Sequence, residues 1–235
     1  MNKISIIIPV LNEAETIENL LFHLIDCSAL NNISEIIVVD GGSTDGTIPI
    51  IKNLGLNIKV LNSEKGRAKQ MNLGASEANG NILYFLHADS FPPNRYDQLI
   101  LSAIENGNAS GCFKMKFDSN HWWLKLASWF TQFNWQVCRG GDQSLFVTHS
   151  LFKDIGGFDE NFTIYEDNDF IAKLYQRKQF VVLQDWLTTS ARKYNNHGIF
   201  NLQFHFWAIH LKKRLGASPE KLNRYYLKHI AAQNN

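Results

Sequence analysis

Four short clusters in this chain carry more polar chemistry than turns and helix caps need. The run Asp40-Gly41-Gly42-Ser43-Thr44-Asp45-Gly46-Thr47 follows the apolar stretch Ile36-Ile37-Val38-Val39. Gly42 and its neighbour let backbone approach a ligand, Asp40 at a strand end can accept a hydrogen bond from a base or ribose, and the next helix offers its N-terminus. A plain strand-to-helix turn capped by Thr44 and Asp45 explains this run alone equally well. Tyr165-Glu166-Asp167-Asn168-Asp169 opens a helical pattern with three carboxylates, and attraction to the helix dipole accounts for some of them but not readily for all. His87-Ala88-Asp89 ends a strand pattern, which points His87 and Asp89 to the same side. Arg67, Lys69 and Gln70 open a helix after Gly66; cations there oppose the dipole, and Arg67 facing the strand ends can pair with phosphate or with a uracil or guanine edge.

The elements that position these clusters follow from periodicity. Strand-like runs at 4–10, 35–39, 57–61 and 82–87 alternate with helix-like runs at 13–24, 45–53, 66–79 and 94–105, the pattern of a parallel sheet with crossover helices. Ile6-Ile7-Ile8 and Ile36-Ile37-Val38-Val39 are continuously apolar, as strands covered on both faces should be. A ligand of such a sheet binds beyond the carboxyl ends of the strands, where Leu11-Asn12-Glu13, Asp40 to Ser43 and His87 to Asp89 fall. Asn12 followed by Glu15 predicts a capping box for the first helix. Beyond 107 the alternation weakens: strands are predicted at 109–117, 144–147 and 180–183, and helices at 122–137, 166–177, 200–215 and 219–232, with a turn at Gly156-Gly157.

Composition bounds the function. The 235 residues are 45% hydrophobic and 19% charged, enough for one sizeable core, and a net charge of +1 gives no global reason to bind nucleic acid. Cys27, Cys112 and Cys138 lie far apart, so neither a disulfide framework nor a cysteine zinc site is expected, which suits a reducing cytoplasm. Ser5, Pro9 and Glu13 argue against a signal peptide at 1–13, and no run approaches the roughly 18 apolar residues that span a bilayer. A soluble or at most peripheral protein is expected. No G-x-G-x-x-G or G-x-x-x-x-G-K-[ST] occurs, so dinucleotide oxidoreductase and P-loop readings have no sequence support.

Pro9-Val10-Leu11-Asn12-Glu13, the Asp40 turn and Asp89 together resemble family 2 glycosyltransferases of the GT-A fold. Gly66-Arg67-Ala68-Lys69-Gln70-Met71-Asn72-x-Gly74-Ala75 and Leu86-His87-Ala88-Asp89 resemble a bacterial subgroup within them, the likeness covering roughly residues 3 to 190. It implies a Rossmann-like, mixed but mainly parallel α/β sheet flanked by helices. The expected division is a catalytic domain at 1–197, with a nucleotide-sugar half at 1–105 and an acceptor half at 106–197, followed by a helical extension at 198–235. It also implies an inverting transferase that moves one sugar from a nucleoside diphosphate sugar to a hydroxyl acceptor. Pro9, Leu11, Glu13, Asp40, Gly42, Arg67, Gln70 and His87 would contact the donor; Asp142 and Gln143, in a G-D-Q segment, the acceptor. Matched to the family's E-D pair, Asp167 is the catalytic base and Glu166 its neighbour, a second carboxylate raising the pKa of the base.

A departing diphosphate gathers charge, which calls for a divalent cation, manganese or magnesium, held by hard oxygen. Asp89 fits that role, though the family's usual D-x-D reads His87-Ala88-Asp89 here, and His87 either faces the donor or metal or orients Asp89. The Q-x-x-R-W motif is replaced near Thr188 to Lys193, which argues against a processive synthase, and His197 lies in a predicted loop. A nucleotidyltransferase would need a G-x-G-x-R loop where Pro9 to Glu13 stands; a non-catalytic nucleotide- or sugar-binding module is the other alternative. Trp122, Trp123, Trp129, Phe130, Phe133 and Trp135 form an aromatic belt, with Phe204, Phe206 and Trp207 further on. Helix packing or a homodimer contact is the commoner explanation; a lipid-linked acceptor with peripheral contact at the inner membrane face is the other. Lys212, Lys213, Arg214, Lys221, Arg224 and Lys228 suit anionic lipid or a solvated helical face equally.

Overall fold

The computed structural model describes residues 2–231. Met1, Ala232 at the end of the last predicted helix, and residues 232–235 of the expected extension lie outside them. Strands β1 (Ile4–Val10), β2 (Ile33–Asp40), β3 (Ile58–Asn62), β4 (Ile82–Phe85), β5 (Ser90–Phe91), β6 (Ser110–Phe117), β7 (Leu145–Thr148) and β8 (Phe180–Thr189) form one sheet in the order β3-β2-β1-β4-β7-β6-β8-β5. The pairs among β1 to β4 and the β6–β8 pair are parallel, whereas β7 runs antiparallel to β4 and β6, and β5 to β8. The sheet is thus mixed and mainly parallel, and it continues through both expected halves.

Helices cover both faces, which is why β1 is buried along its whole length. Alternate residues Ile4, Ile6 and Ile8 pack with Leu20, Leu21 and Leu24 of α1 (Ile17–Asp26) and with Tyr96 and Ile100 of α4 (Tyr96–Glu105). On the other face Ile7, Ile37 and Val39 meet Met71 and Ala75 of α3 (Arg67–Ser76) and Phe170, Ile171 and Leu174 of α7 (Glu166–Gln176). The approach of α3 to β1 depends on Gly74, because a Cβ there would lie 2.5 Å from Ile7 Cγ2. α2 (Thr47–Asn53) follows the Asp40 turn, and α6 (His149–Ile155) follows β7. A third cluster joins Leu124 of α5 (Trp122–Phe130) to Tyr194 of α8 (Arg192–His197), Leu202 and Ile209 of α9 (Ile199–Arg214), and Leu222 of α10 (Pro219–His229).

Five local expectations differ from the structure. β4 stops at Phe85 and not at 87, and His87-Ala88-Asp89 makes a turn closed by the Ser90 amide on the His87 carbonyl, so strand alternation does not set the directions of His87 and Asp89. The capping box does not form: α1 starts at Ile17, with Thr16 as N-cap and no side-chain cap bond, while Asn12 sits at φ 58° and bonds elsewhere. α5 stops at Phe130, short of 137, because the Thr131 hydroxyl donates to the carbonyls of Ser128 and Met115 and accepts from the Met115 amide, tying the chain back to β6. β8 runs on to Thr189, and its pairing with β6 shifts register between Phe113/Leu183 and Lys114/Trp186, so the polar Gln184-Asp185 that closed the predicted strand bulges out and the ladder resumes. His197 ends helix α8 instead of lying in a loop.

Candidate functional site

The carboxyl ends of β1 and β2 are locked together by side chains of their own loops. Asn12 Oδ1 accepts from the Thr44 amide at 2.8 Å and the Asn12 amide donates to Ser43 Oγ at 2.9 Å. The Glu13 amide donates to Thr47 Oγ1 at 2.9 Å and the Ala14 amide to Asp45 Oδ2 at 3.0 Å, while Asp45 also accepts from the amide and hydroxyl of Thr47. Asp40, buried at the end of β2, accepts from the Ser43 amide and, at 2.6 Å, from the Ser43 hydroxyl. Gly42 is exposed at φ 96°, a conformation that favours glycine.

Gln70 turns inward beneath these loops. Its side-chain Nε2 donates to the carbonyls of Val10 at 2.9 Å and Val39 at 2.7 Å, binding the two strand ends where their ladder stops, and the residue is buried. It therefore supports the two loops from below. Gln143 behaves alike: buried, it donates to the Cys138 carbonyl at 2.9 Å and accepts from the Cys112 thiol, while its neighbour Asp142 is exposed.

The first turn of α7 brings the carboxylates to the same place. Its N-cap, Tyr165, is held at φ 77°, a left-handed conformation costly for a bulky side chain. Glu166 is wholly buried, and Arg67 Nε at the start of α3 lies 2.6 Å from its Oε1. Among the described residues no hydrogen bond of good geometry reaches either Glu166 oxygen, and Arg67 supplies charge compensation. Burial by itself would lower the Arg67 pKa, but Glu166, Asp167 and Asp142 reverse this and hold the guanidinium firmly charged. Asp167 Oδ2 is 3.8 Å from His87 Nε2. Burial, reinforced by the charge of Glu166 and opposed by Arg67, pushes the Asp167 carboxyl up to about 7. The third acid, Asp169, is taken by Lys173 at 3.0 Å and Lys213 at 3.9 Å, a structural role. Pro9, His87, Ser144 and Asp167 share the lining of one narrow cleft, so the strand-end and helix-end clusters meet.

Asp89 is half-buried just beyond β4, and its carboxyl is raised by burial and by the charges of Asp142 and Glu13, against the pull of Lys193 and Arg192. This convergence of acids suits a hard cation. Among the described residues no three His, Cys, Asp or Glu side chains are placed to hold a metal by themselves, so a cation here would be of the kind held by one or two carboxylates together with a substrate's phosphates. Sequence reasoning missed Arg192 and Lys193. Arg192 Nη2 binds Glu13 Oε2 at 3.1 Å and Nη1 lies 3.9 Å from Glu15, bridging α8 to the loop after β1. The signal for them was a basic pair directly after the last strand. Leu11 and Glu13 are half-buried in that same loop.

Residues 5–158 match the family described as glycosyl transferase family 2. Undecaprenyl-phosphate 4-deoxy-4-formamido-L-arabinose transferase of Proteus mirabilis (strain HI4320) is 31% identical over 137 residues, covering 54% of this chain and 41% of that protein. Uncharacterized glycosyltransferase YibD of Escherichia coli (strain K12) is 24% identical over 245 residues, covering 97% and 69%. Two solved structures share the fold. The mannosyltransferase PcManGT of Pyrobaculum calidifontis, in complex with GDP-Man and Mn2+, superposes with TM-score 0.68 at 19% identity, covering 99% of this chain and 74% of that one. S. aureus TarS in complex with UDP-GlcNAc gives 0.67 at 17%, covering 97% and 71%. The chain spans less than half the length of the Proteus relative. With a mixed, mainly parallel sheet flanked by helices that matches GT-A structures and a family match over residues 5–158, this chain belongs to glycosyl transferase family 2.

Proposed function

We propose that this protein is an inverting glycosyltransferase that moves a single sugar from a nucleoside diphosphate sugar to a hydroxyl acceptor. The observation that carries this reading is the Glu166–Asp167 pair: a buried, charge-compensated glutamate beside an aspartate whose carboxyl is raised to about 7 and which lines a narrow cleft with Pro9 and His87. A base with a pKa near the working pH takes a proton from an acceptor hydroxyl efficiently, because its ionised form is present and still basic. In our reading Asp167 receives that proton as the hydroxyl attacks the anomeric carbon from the face opposite the leaving diphosphate. Glu166 keeps Asp167 basic through its charge, and Arg67 holds Glu166 in place.

The donor is assigned to the surface formed by Pro9, Leu11, Glu13, Asp40, Gly42 and His87, with Arg67 and Gln70 supporting it and Asp142 on the acceptor side. A divalent cation bound at Asp89 would neutralise charge on the diphosphate; the manganese in the PcManGT complex supports that assignment. The nucleotides named with PcManGT and TarS support a GDP- or UDP-linked donor, and the name of the Proteus relative supports an acceptor carried on a lipid. We assign catalysis to residues 1–197, the remainder to a helical extension, and the protein to the cytoplasm or its membrane face.

Isothermal titration with UDP and GDP, each with and without manganese or magnesium, tests the proposal. Metal-dependent binding of one nucleotide is expected. Failure of both to bind overturns it.

A further inference from the structure

We propose that the joined outer faces of α5 and α9 dock this protein onto an anionic lipid bilayer. Phe200, Phe204, Trp207, Leu211 and Leu215 recur every three or four residues along α9 and its C-cap, and each is between 56% and 77% exposed. The opposite side of α9 already has its packing partners, with Leu202 and Ile209 buried in the third core cluster. On α5, Trp122, Leu126, Trp129 and Phe130 are 40% to 60% exposed. The two stripes meet: the Trp122 and Phe200 rings are 6.3 Å apart, and those of Trp123 and Trp207 6.1 Å. Trp135 and Val137, 54% and 87% exposed, extend the surface beyond α5. A soluble monomer rarely leaves so large a continuous apolar surface without a partner.

Charge and composition identify the partner. Residues 119–140 contain no acid, and residues 199–231 carry six lysines and arginines against one acid, Glu220, although the whole chain has a net charge of only +1. Lys125, Lys212, Arg214, Lys221, Arg224 and Lys228 are all exposed. Tryptophans flanked by such cations match the headgroup boundary of an anionic membrane, where rings enter the interface and lysines pair with lipid phosphates. A second copy of this chain fits less well. Interfaces between proteins are depleted in lysine, and a two-fold contact here would set the two basic segments against each other. No helix among the described residues is long and apolar enough to cross a membrane, so the contact is one of lying on the bilayer.

The test is sedimentation with vesicles of phosphatidylcholine alone, and of phosphatidylcholine with about a third phosphatidylglycerol, without nucleotide. Tryptophan emission is read in parallel, and solution mass is read by light scattering. The wild type should bind the anionic vesicles at least about tenfold more tightly than the neutral ones and shift its emission to the blue. Phe204→Ser with Trp207→Ser, both on the outer face, should lose about tenfold or more in binding at an unchanged circular dichroism spectrum. Absence of binding to anionic vesicles, equal binding by wild type and variant, or a wild-type dimer that the same substitutions convert to monomer each overturns the proposal, the last by assigning the surface to a second copy. Nucleotide titration stays separate, so failure of the transferase reading and failure of this one are distinguishable.

Discussion

Replacing Arg67 with methionine isolates the ion pair that holds the acid site together. The substitution keeps much of the side-chain volume and removes the guanidinium that lies 2.6 Å from Glu166 Oε1. Glu166 is wholly buried and, among the described residues, no well-aligned hydrogen bond reaches its oxygens, so the variant strands a carboxylate away from water. Removing one partner of a fully buried pair costs about 3–5 kcal/mol. Arg67, however, is 36% exposed and solvent already screens the pair from that side, which reduces the expected loss to about 2–3 kcal/mol. Urea unfolding followed by tryptophan fluorescence reads this as a lower midpoint at constant slope. Glu166→Gln alone should cost no more than about 1 kcal/mol, because Arg67 can turn to water, and the double variant should recover most of what Arg67→Met loses. A loss below about 0.5 kcal/mol for Arg67→Met, or a double variant no more stable than that single one, refutes the idea that Arg67 compensates Glu166.

Further outcomes follow from the same geometry. Asp167→Asn should reduce transfer by about 10²–10⁴-fold with donor binding near normal, and in the wild type the rate should fall as pH drops below about 7, where Asp167 takes up its proton; an unchanged rate in the variant removes Asp167 as the base. Because folding raises this carboxyl, its favourable contribution to stability is complete below the unfolded carboxyl pKa of about 4 and is lost as pH rises through about 7. Asp167→Asn should therefore unfold at higher urea than the wild type at pH 8 and lose that advantage at pH 4. Asp89→Ala should abolish the metal-dependent part of nucleotide affinity in calorimetry and leave the metal-independent part. Gln70→Leu should destabilise by about 2–4 kcal/mol, since the carbonyls of Val10 and Val39 each lose a buried donor, and thermal unfolding checks this.

The sheet was legible in the sequence because its strands are so apolar. Ile6 to Ile8 and Ile36 to Val39 can lie only between two helical layers, and that placed the polar clusters at the strand ends. The C-terminal half was harder to read, since its signals are not periodic. β8 continues through a bulge that puts polar Gln184-Asp185 in mid-strand, and β5 is two residues long and exists only through its pairing with Thr188 and Thr189. At the site, the proximity of Glu166 to Arg67 joins residues about a hundred positions apart, and no local pattern encodes that distance. Gln70 and Gln143 show the opposite difficulty. Their residue type suggests ligand contact, but whether an amide faces a ligand or a carbonyl beneath it depends on which way the chain turns. Asn12 likewise has the spacing of a cap and instead serves the neighbouring loop.

That loop-to-loop network bears on how binding specificity can change. Asn12, Ser43, Asp45 and Thr47 make the segments after β1 and β2 a single body, although some thirty residues separate them in the chain. Their ordering is completed when the protein folds, so if the proposed donor binds at Asp40 it meets a wall already arranged and loses little affinity to ordering it. Substitutions in either loop should accordingly act on both, and pairs drawn one from each should depart from additivity. Under the proposed donor assignment, a change of donor preference through this wall would proceed by compensated steps across two distant stretches of sequence, and Arg192, which reaches Glu13 in the first of them, couples α8 to the same body.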